Sequence, residues 1–238
     1  MENHLVKLIK NKNLVFAKKK LEKLDKKKIR IKIKSTGVCA SDIPRAYNNG
    51  AYHYPLVMGH EITGVIYESR IKNFKKKEKV SIFPLLPCKK CINCKLKKYN
   101  HCNSYSYYGS RQDGGFAKYI DVDPWNIVKL QKNINFLDSF AMEPSAVALN
   151  TINKTFKKKI KKNEKILLTG SGFIGLLIAK LIKTKFKFSN LTIIDRNKHK
   201  LNFAPKNCRK VFLKKSQSKI LKKFKDSFDY VIDTTGSA

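Results

Sequence analysis

Four cysteines, Cys88, Cys91, Cys94 and Cys102, fall within "PCKKCINCKLKKYNHC" (Pro87–Cys102). The first three fit a ferredoxin-type iron–sulfur run, but the fourth does not. That run wants its last cysteine after three residues, followed by proline. Four thiolates at short spacing suit a closed tetrahedral zinc, which is a structural site. The lysines between them ease the burden of four negative sulfurs on one divalent ion. A second constellation is spread more widely: Cys39 in "GVCASD", His60 and Glu61 in "GHE", and Glu143 in "EPSAVAL". A thiolate, an imidazole and a carboxylate supply three ligands and leave a fourth position open, the pattern of a catalytic zinc. Taken singly, a cysteine is more often a small buried hydrophobe. Spacing alone does not establish that these residues converge.

The third chemical signal is "GSGFIG", with Gly170, Gly172 and Gly175 separated by Ser171, Phe173 and Ile174. It closes the apolar run "KILLTG" and opens the apolar run "FIGLLIAKLIKTKF". Asp195 ends the next apolar run, "LTIID", twenty residues after Gly175. That context is the dinucleotide fingerprint. Gly170 permits the tight turn, Gly172 leaves room for a pyrophosphate at the helix N-terminus, and Gly175 lets helix and strand pack closely. Asp195 can accept from a ribose diol and would repel a 2′-phosphate, so NAD is expected over NADP.

These residues need elements to hold them. "IRIKIK" (Ile29–Lys34), "EITGVIY" (Glu61–Tyr67) and "GGFAKYIDV" (Gly114–Val122) read as strands, and "SDIPRAYNNG" (Ser41–Gly50) as a short helix with Ser41 as its N-cap. A charged connector, "TFKKKIKKNE" (Thr155–Glu164), separates this part from a strand–helix–strand pattern. There "KILLTG", "LTIID", "RKVFL" and "FDYVID" are the strands, with a helix at "QSKILKKFK" (Gln217–Lys225). Alternating strands and helices predict a parallel sheet. Two domains are expected, 1–154 and 155–238.

Composition bounds the class. The 238 residues carry 52 Lys and Arg against 17 Asp and Glu, a net charge of +35. Lysines occur in every segment and arginines are few, whereas a nucleic-acid footprint gathers on one face with arginine and aromatics interleaved. The charge therefore reads as a solvated basic surface that sticks to polyanions nonspecifically, without a specific nucleic-acid site. Apolar runs such as Phe173–Ala179 are too short to span a bilayer. The N-terminal "MENHLVKLIK" lacks the apolar core of a signal peptide. A cytoplasmic protein in a reducing compartment is expected, where clustered cysteines mean metal rather than disulfides.

"VMGHEITGV", the four-cysteine lobe, "EPSAVAL" and GSGFIG stand in the order of the zinc-dependent medium-chain alcohol dehydrogenases, and the sequence resembles that family over nearly its whole length. "SDIPRAYNNGAYHYPLVMGHE" and "YYGSRQDGGFAKYI" look most like its sugar-alcohol branch. The resemblance implies an α/β protein: a mainly-β GroES-like catalytic domain, then a Rossmann doubly wound parallel sheet. It implies a catalytic zinc on Cys39, His60 and Glu143, with Glu61 adjacent to the coordination shell. It implies a structural zinc on Cys88, Cys91, Cys94 and Cys102. Through it Ser41 matches a relay hydroxyl that passes the alcohol proton towards solvent, with helix capping as the alternative. Asp42 matches a carboxylate that orients the His60 ring. Arg45 and Arg111 are candidates to meet a substrate phosphate. The implied reaction is hydride transfer from a polyol, or a polyol phosphate, to NAD.

The sequence also departs from the family. "FDYVIDTTGSA" matches the fourth strand of a sheet that has about six. The Rossmann part is therefore expected to be incomplete and the usual dimer-forming strand of this homo-oligomeric family to be missing. In "SRIKNFKKKEKV", Lys77 and Glu78 stand where the family has Gly-Asp. A truncated, catalytically impaired zinc-binding relative is the second reading, and a basic nucleic-acid-binding zinc protein a distant third.

Overall fold

Strand β1 (Glu2–Lys10) turns back onto β2 (Asn13–Lys20) through Lys12, at φ 63°. In the computed structural model, which describes residues 1–156, 161, 163–188, 190–213, 224 and 226–236, this hairpin opens the first of two units. The units are Met1–Glu143 and Pro144–Ala238.

In the first unit β3 (Ile29–Gly37) is the alternating stretch expected, with Ile29 and Ile31 fully buried. The short β4 (Leu56–Val57) pairs with β1. Strand β5 (Glu61–Ser69) runs antiparallel to β3, and β6 (Lys79–Ile82) antiparallel to β5. A two-stranded ribbon of β7 (Leu85–Leu86) and β8 (Ser106–Tyr107) brackets the four-cysteine lobe. Strands β9 (Tyr119–Val122) and β10 (Ile127–Lys129) complete a five-stranded sheet in the order β10-β6-β5-β3-β9. Its core is Ile29, Ile31, Ile62, Ile66, Val80, Ile82 and Val122. Burying such β-branched side chains on a sheet face contributes about 1.5–3 kcal/mol each relative to exposure. Arg30 is buried among them because Nε and Nη2 reach Asp121 on β9 at 2.8 and 2.7 Å. The helices of this unit are short: α1 (Asp42–Tyr47), α2 (Ile92–Lys95) inside the lobe, and α3 (Phe136–Ser139).

Two expectations change here. The strand expected over Gly114–Val122 is confined to Tyr119–Val122. The N–H groups of Gly114, Gly115 and Phe116 instead donate to the carbonyls of Val57, Gly59 and Met58, which draws this backbone out of the sheet. Ser41 occupies the N-cap position of α1, but its side chain makes no capping bond. The departure at Lys77 and Glu78 has a local account. Lys77 takes φ 72°, in the region that favours glycine, and the Glu78 carboxylate pairs with Lys129 Nζ at 3.0 Å.

The second unit takes in most of α4 (Met142–Thr155), whose Ala148 and Ile152 are buried in its core. The boundary thus falls eleven residues before the charged connector. A four-stranded parallel sheet follows, built from β11 (Ile166–Thr169), β12 (Leu191–Asp195), β13 (Arg209–Phe212) and β14 (Tyr230–Asp233) in the order β13-β12-β11-β14. Helix α5 (Phe173–Thr184) lays Ile178, Ala179 and Ile182 onto Ile166, Leu168 and Ile193, and α6 (Lys198–Asn202) adds Leu201. The strand order reverses between β11 and β14, the crevice where doubly wound sheets bind ligands. The helix expected at Gln217–Lys225, apart from Phe224, and part of the connector lie outside the described residues. Among the described residues no helix is long and apolar enough to cross a membrane.

Candidate metal centres and dinucleotide turn

Antiparallel pairing sets Gly37, the last residue of β3, opposite Glu61, the first of β5. Cys39 lies two residues beyond one strand end, and His60 immediately before the other. A separation of twenty-one residues in sequence becomes adjacency at one sheet edge. The ligand atoms of Cys39, His60 and Glu61 all lie within 4.8 Å of one another. Gly37 is required for this: a Cβ there would overlap the Glu61 carboxylate. Glu143, expected as the third ligand, stands outside this three-atom set. Its Oε1 accepts from the Tyr107 hydroxyl at 3.3 Å.

The electrostatics of the centre follow from burial. His60 and the Cys39 thiol sustain one another: the imidazole, aided by Ser41 and opposed by burial, holds the thiol below its usual range. Burial pushes His60 down, but Cys39, Asp42 and Glu143 outweigh it and hold the imidazole above 6.5. Burial raises Glu61, Glu143 and Asp42 above the ordinary carboxylate range. One imidazole therefore faces a thiol, the buried acids Asp42 and Glu61 and the half-buried Glu143, a donor set short of positive charge. A divalent cation fits that deficit, since burying ionised acids without compensation is costly. Asp42 accepts from the Cys39 N–H at 3.0 Å and from Arg45 Nη1 at 3.3 Å. Its Oδ1 lies 3.8 Å from His60 Nδ1, a buried atom with no hydrogen-bond partner among the described residues. Arg45 is thereby committed to Asp42.

Tyr107 is a residue whose type and spacing gave no signal. Its ring packs edge-on against His60, with centroids 5.8 Å apart, while its hydroxyl holds Glu143. Burial and Glu143 push its own pKa well above the usual phenol range, so it stays a donor. Strand β8 delivers it there, at the exit of the four-cysteine lobe.

In that lobe the four sulfurs lie within 4.8 Å of one another and form no disulfide. Cys88 and Cys94 are 3.9 Å apart, and Cys91 and Cys102 are 4.0 Å apart. A tetrahedral zinc with 2.3 Å bonds needs sulfur–sulfur edges of roughly 3.8 Å. The N–H of Cys88 donates to Cys102 Sγ and that of Cys91 to Cys88 Sγ, at 3.2 and 3.4 Å. Backbone donors from Asn103 and Cys94 hold Cys91 down at about 6. The set fits one metal ion held by thiolates.

In the second unit Gly170 closes β11 at φ 91°, a left-handed conformation that an L side chain rarely adopts. A Cβ on Gly175 would strike the Gly170 carbonyl, whereas one on Gly172 would meet nothing within 4 Å among the described residues. The turn is tight on the helix side and open above, as a pyrophosphate cradle requires. Phe173 and Ile174 form the first turn of α5. Asp195 Oδ2 accepts from the Ser171 N–H and hydroxyl at 2.5 and 2.7 Å, and Oδ1 from the Asn197 N–H at 2.7 Å. Burial would raise Asp195, but Ser171 and Asn197 outweigh it and hold it below 3.8. Its carboxylate thus ties β12 to the glycine turn and keeps accepting capacity for a ribose.

Residues 25–132 match the alcohol dehydrogenase GroES-like domain. That region belongs to this domain family, and a Rossmann-type parallel sheet follows it in the chain. Among relatives, galactitol 1-phosphate 5-dehydrogenase of Escherichia coli (strain K12) is 35% identical over 178 residues, which is 74% of this chain and 50% of that protein. A probable D-xylulose reductase A of Aspergillus clavatus is 32% identical over 183 residues, again 74% of this chain and 50% of that protein. The crystal structure of galactitol-1-phosphate dehydrogenase from Escherichia coli superposes with a TM-score of 0.86 at 28% identity, covering 98% of this chain and 68% of that one. The chain spans about half the length of the curated relatives it matches.

Two outcomes test this geometry. Gly37→Ala displaces the Glu61 carboxylate while leaving the fold, because the overlap is with a flexible side-chain end. Zinc affinity at the Cys39 centre should fall by about tenfold or more with the four-cysteine site still loaded. Unchanged affinity in a competition titration would remove Glu61 from the ligand set. Asp195 has a depressed folded-state pKa, so its contribution to stability is present above 3.8 and lost only as pH falls through the lower value. An NMR titration should place Asp195 below 3.8, and Ser171→Ala should raise it; a wild-type value at or above 3.8 contradicts the contact.

Proposed function

We propose that the chain is the zinc- and NAD-dependent part of a dehydrogenase that oxidises a secondary hydroxyl of a polyol or polyol phosphate to the ketone. The observation that carries this reading is the convergence of Cys39, His60 and Glu61 at one sheet edge, in the same unit as a separate four-thiolate site. One site is closed and the other has fewer protein ligands than a tetrahedral ion needs, the division between structural and catalytic zinc. The 35% identity to galactitol 1-phosphate 5-dehydrogenase supports a sugar-alcohol substrate.

In this reading Cys39 and His60 hold the catalytic metal with a carboxylate from Glu61 or Glu143, and Cys88, Cys91, Cys94 and Cys102 hold the structural one. When bound, the catalytic zinc supplies Lewis acidity to the substrate hydroxyl, and NAD supplies the hydride acceptor. Tyr107 fixes Glu143 and packs against the His60 ring. Asp42 faces His60 Nδ1 and orients the imidazole. Ser41, freed from capping, takes the hydroxyl proton towards solvent. Its exposure and its place beside the Cys39 sulfur support that role. Gly170, Gly172, Phe173, Ile174 and Gly175 shape the dinucleotide turn. Asp195 accepts from the adenosine ribose, which favours NAD over NADP because a 2′-phosphate would meet a carboxylate.

Purified chain with zinc, NAD and galactitol 1-phosphate or sorbitol should generate NADH absorbance. Cys39→Ser should abolish it and lower the zinc content by about one equivalent, with circular dichroism unchanged. NADH formation that survives Cys39→Ser would overturn the assignment of the catalytic centre. No NADH with either substrate, or with threonine, would overturn the dehydrogenase reading.

A further inference from the structure

Arg111 is held unlike the other arginines of the first unit. Its guanidinium is stacked between two tyrosine rings, 4.2 Å from the Tyr52 centroid and 4.3 Å from that of Tyr105. Its backbone is fixed as well. The N–H donates to the Tyr107 carbonyl at 2.9 Å, and the carbonyl lies 3.3 Å from His53 Nε2. Arg30 is bound to Asp121 and Arg45 to Asp42. Among the described residues no carboxylate pairs with Arg111, and no protein acceptor takes its guanidinium N–H groups. Asp113, two residues on, is turned away to accept from the Val57 N–H at 2.8 Å.

The physical consequence is specific. A guanidinium packed over two rings is left to bond through its edge, which carries five N–H donors in a fixed plane. Stacking removes much of the rotamer freedom that an arginine otherwise loses on binding. The result is a preorganised, half-buried, unpaired cation. Its natural partner is an oxyanion that accepts two parallel hydrogen bonds. Its backbone is linked to the centre already described, since the Arg111 N–H bonds to the Tyr107 carbonyl and the Tyr107 ring packs against His60.

We propose that Arg111, clamped between Tyr52 and Tyr105, binds the terminal phosphate monoester of the substrate, making the phosphorylated polyol rather than the free polyol the preferred ligand. The inference rests on the polyol dehydrogenase reading and narrows its substrate class. A carboxylate-ended polyol offers the same bidentate chemistry. The phosphate is favoured because its second negative charge adds attraction to a guanidinium that no carboxylate pairs with among the described residues. Arg45, equally a candidate in the sequence, is excluded by its bond to Asp42.

The test is calorimetric binding of galactitol 1-phosphate, galactonate and galactitol to zinc-loaded chain in the presence of NAD, at physiological salt. The wild type should bind the phosphate ester at least about tenfold more tightly than either other ligand. Arg111→Leu, which keeps an apolar stem between the rings, should weaken the ester by about 10- to 100-fold and leave galactitol unchanged. Arg111→Lys should recover only part of the loss, because an ammonium has no planar fork. Equal ester affinity in wild type and Arg111→Leu would overturn the proposal. So would parallel loss of ester and galactitol, no ester binding by the wild type, or galactonate binding tighter than the ester. Arg111-dependent ester binding without NADH formation supports the phosphate site while overturning the dehydrogenase reading. Turnover of free polyol that is indifferent to the phosphate does the reverse.

Discussion

The register that pairs Gly37 with Glu61 is the constraint on which the candidate catalytic centre depends. Neither Cys39 nor His60 lies within a regular element. Each is held at the edge of one by the ladder between β3 and β5, whose buried isoleucines fix which residues face the core. A slip of one position would turn Ile31, Ile62 and Ile66 to the wrong face of the sheet, so the core enforces the geometry of the centre. Gly37 adds a local condition, because only a residue without a side chain leaves room for the Glu61 carboxylate there.

The same economy of position appears around that edge. The four-cysteine lobe is an excursion between β7 and β8, and its return delivers Tyr107 against His60 and Glu143. Four thiolates closed around an ion would hold the ends of that ribbon in register, and with them the tyrosine. The lobe therefore bears on the centre through packing, although none of its cysteines joins the Cys39 set. Further down the same loop Arg111 is anchored to the Tyr107 carbonyl. In the second unit an analogous tie operates: Asp195 bonds Ser171, so the strand that carries the acidic residue also braces the glycine turn.

What could be read from the sequence was what is local. The four cysteines lie within sixteen residues, and the glycine turn with its flanking apolar runs within twenty-two, so both were visible as units. The parallel strands were legible from apolar runs, because a sheet covered on both faces leaves little alternation to misread. The Cys39 centre was legible only through family resemblance, since strand register is not a property of spacing. Tyr107 gave no signal at all. Its role depends on where the lobe returns. The Gly114–Lys118 stretch misled because its residues suit a strand, yet the N–H groups of Gly114, Gly115 and Phe116 are taken by the backbone of Val57–Gly59 and that of Lys118 by the His4 carbonyl of β1. Lysine abundance blurred the turn signals too. Lys12, Lys77, Lys89 and Lys97 occupy left-handed positions where glycine or asparagine would have marked a turn. That pattern agrees with a lysine-rich composition that fills solvated positions throughout.

The central claim is that this chain builds two chemically distinct metal sites, one of four sulfurs and one centred on Cys39 and His60. Zinc-edge X-ray absorption on the zinc-reconstituted chain tests it most directly. Two equivalents of zinc per chain, with an average first shell of about two to three sulfurs and the rest nitrogen and oxygen, is the result this account predicts. A single equivalent in an all-sulfur shell would contradict it, because the sheet edge at Gly37 and Glu61 would then hold no metal.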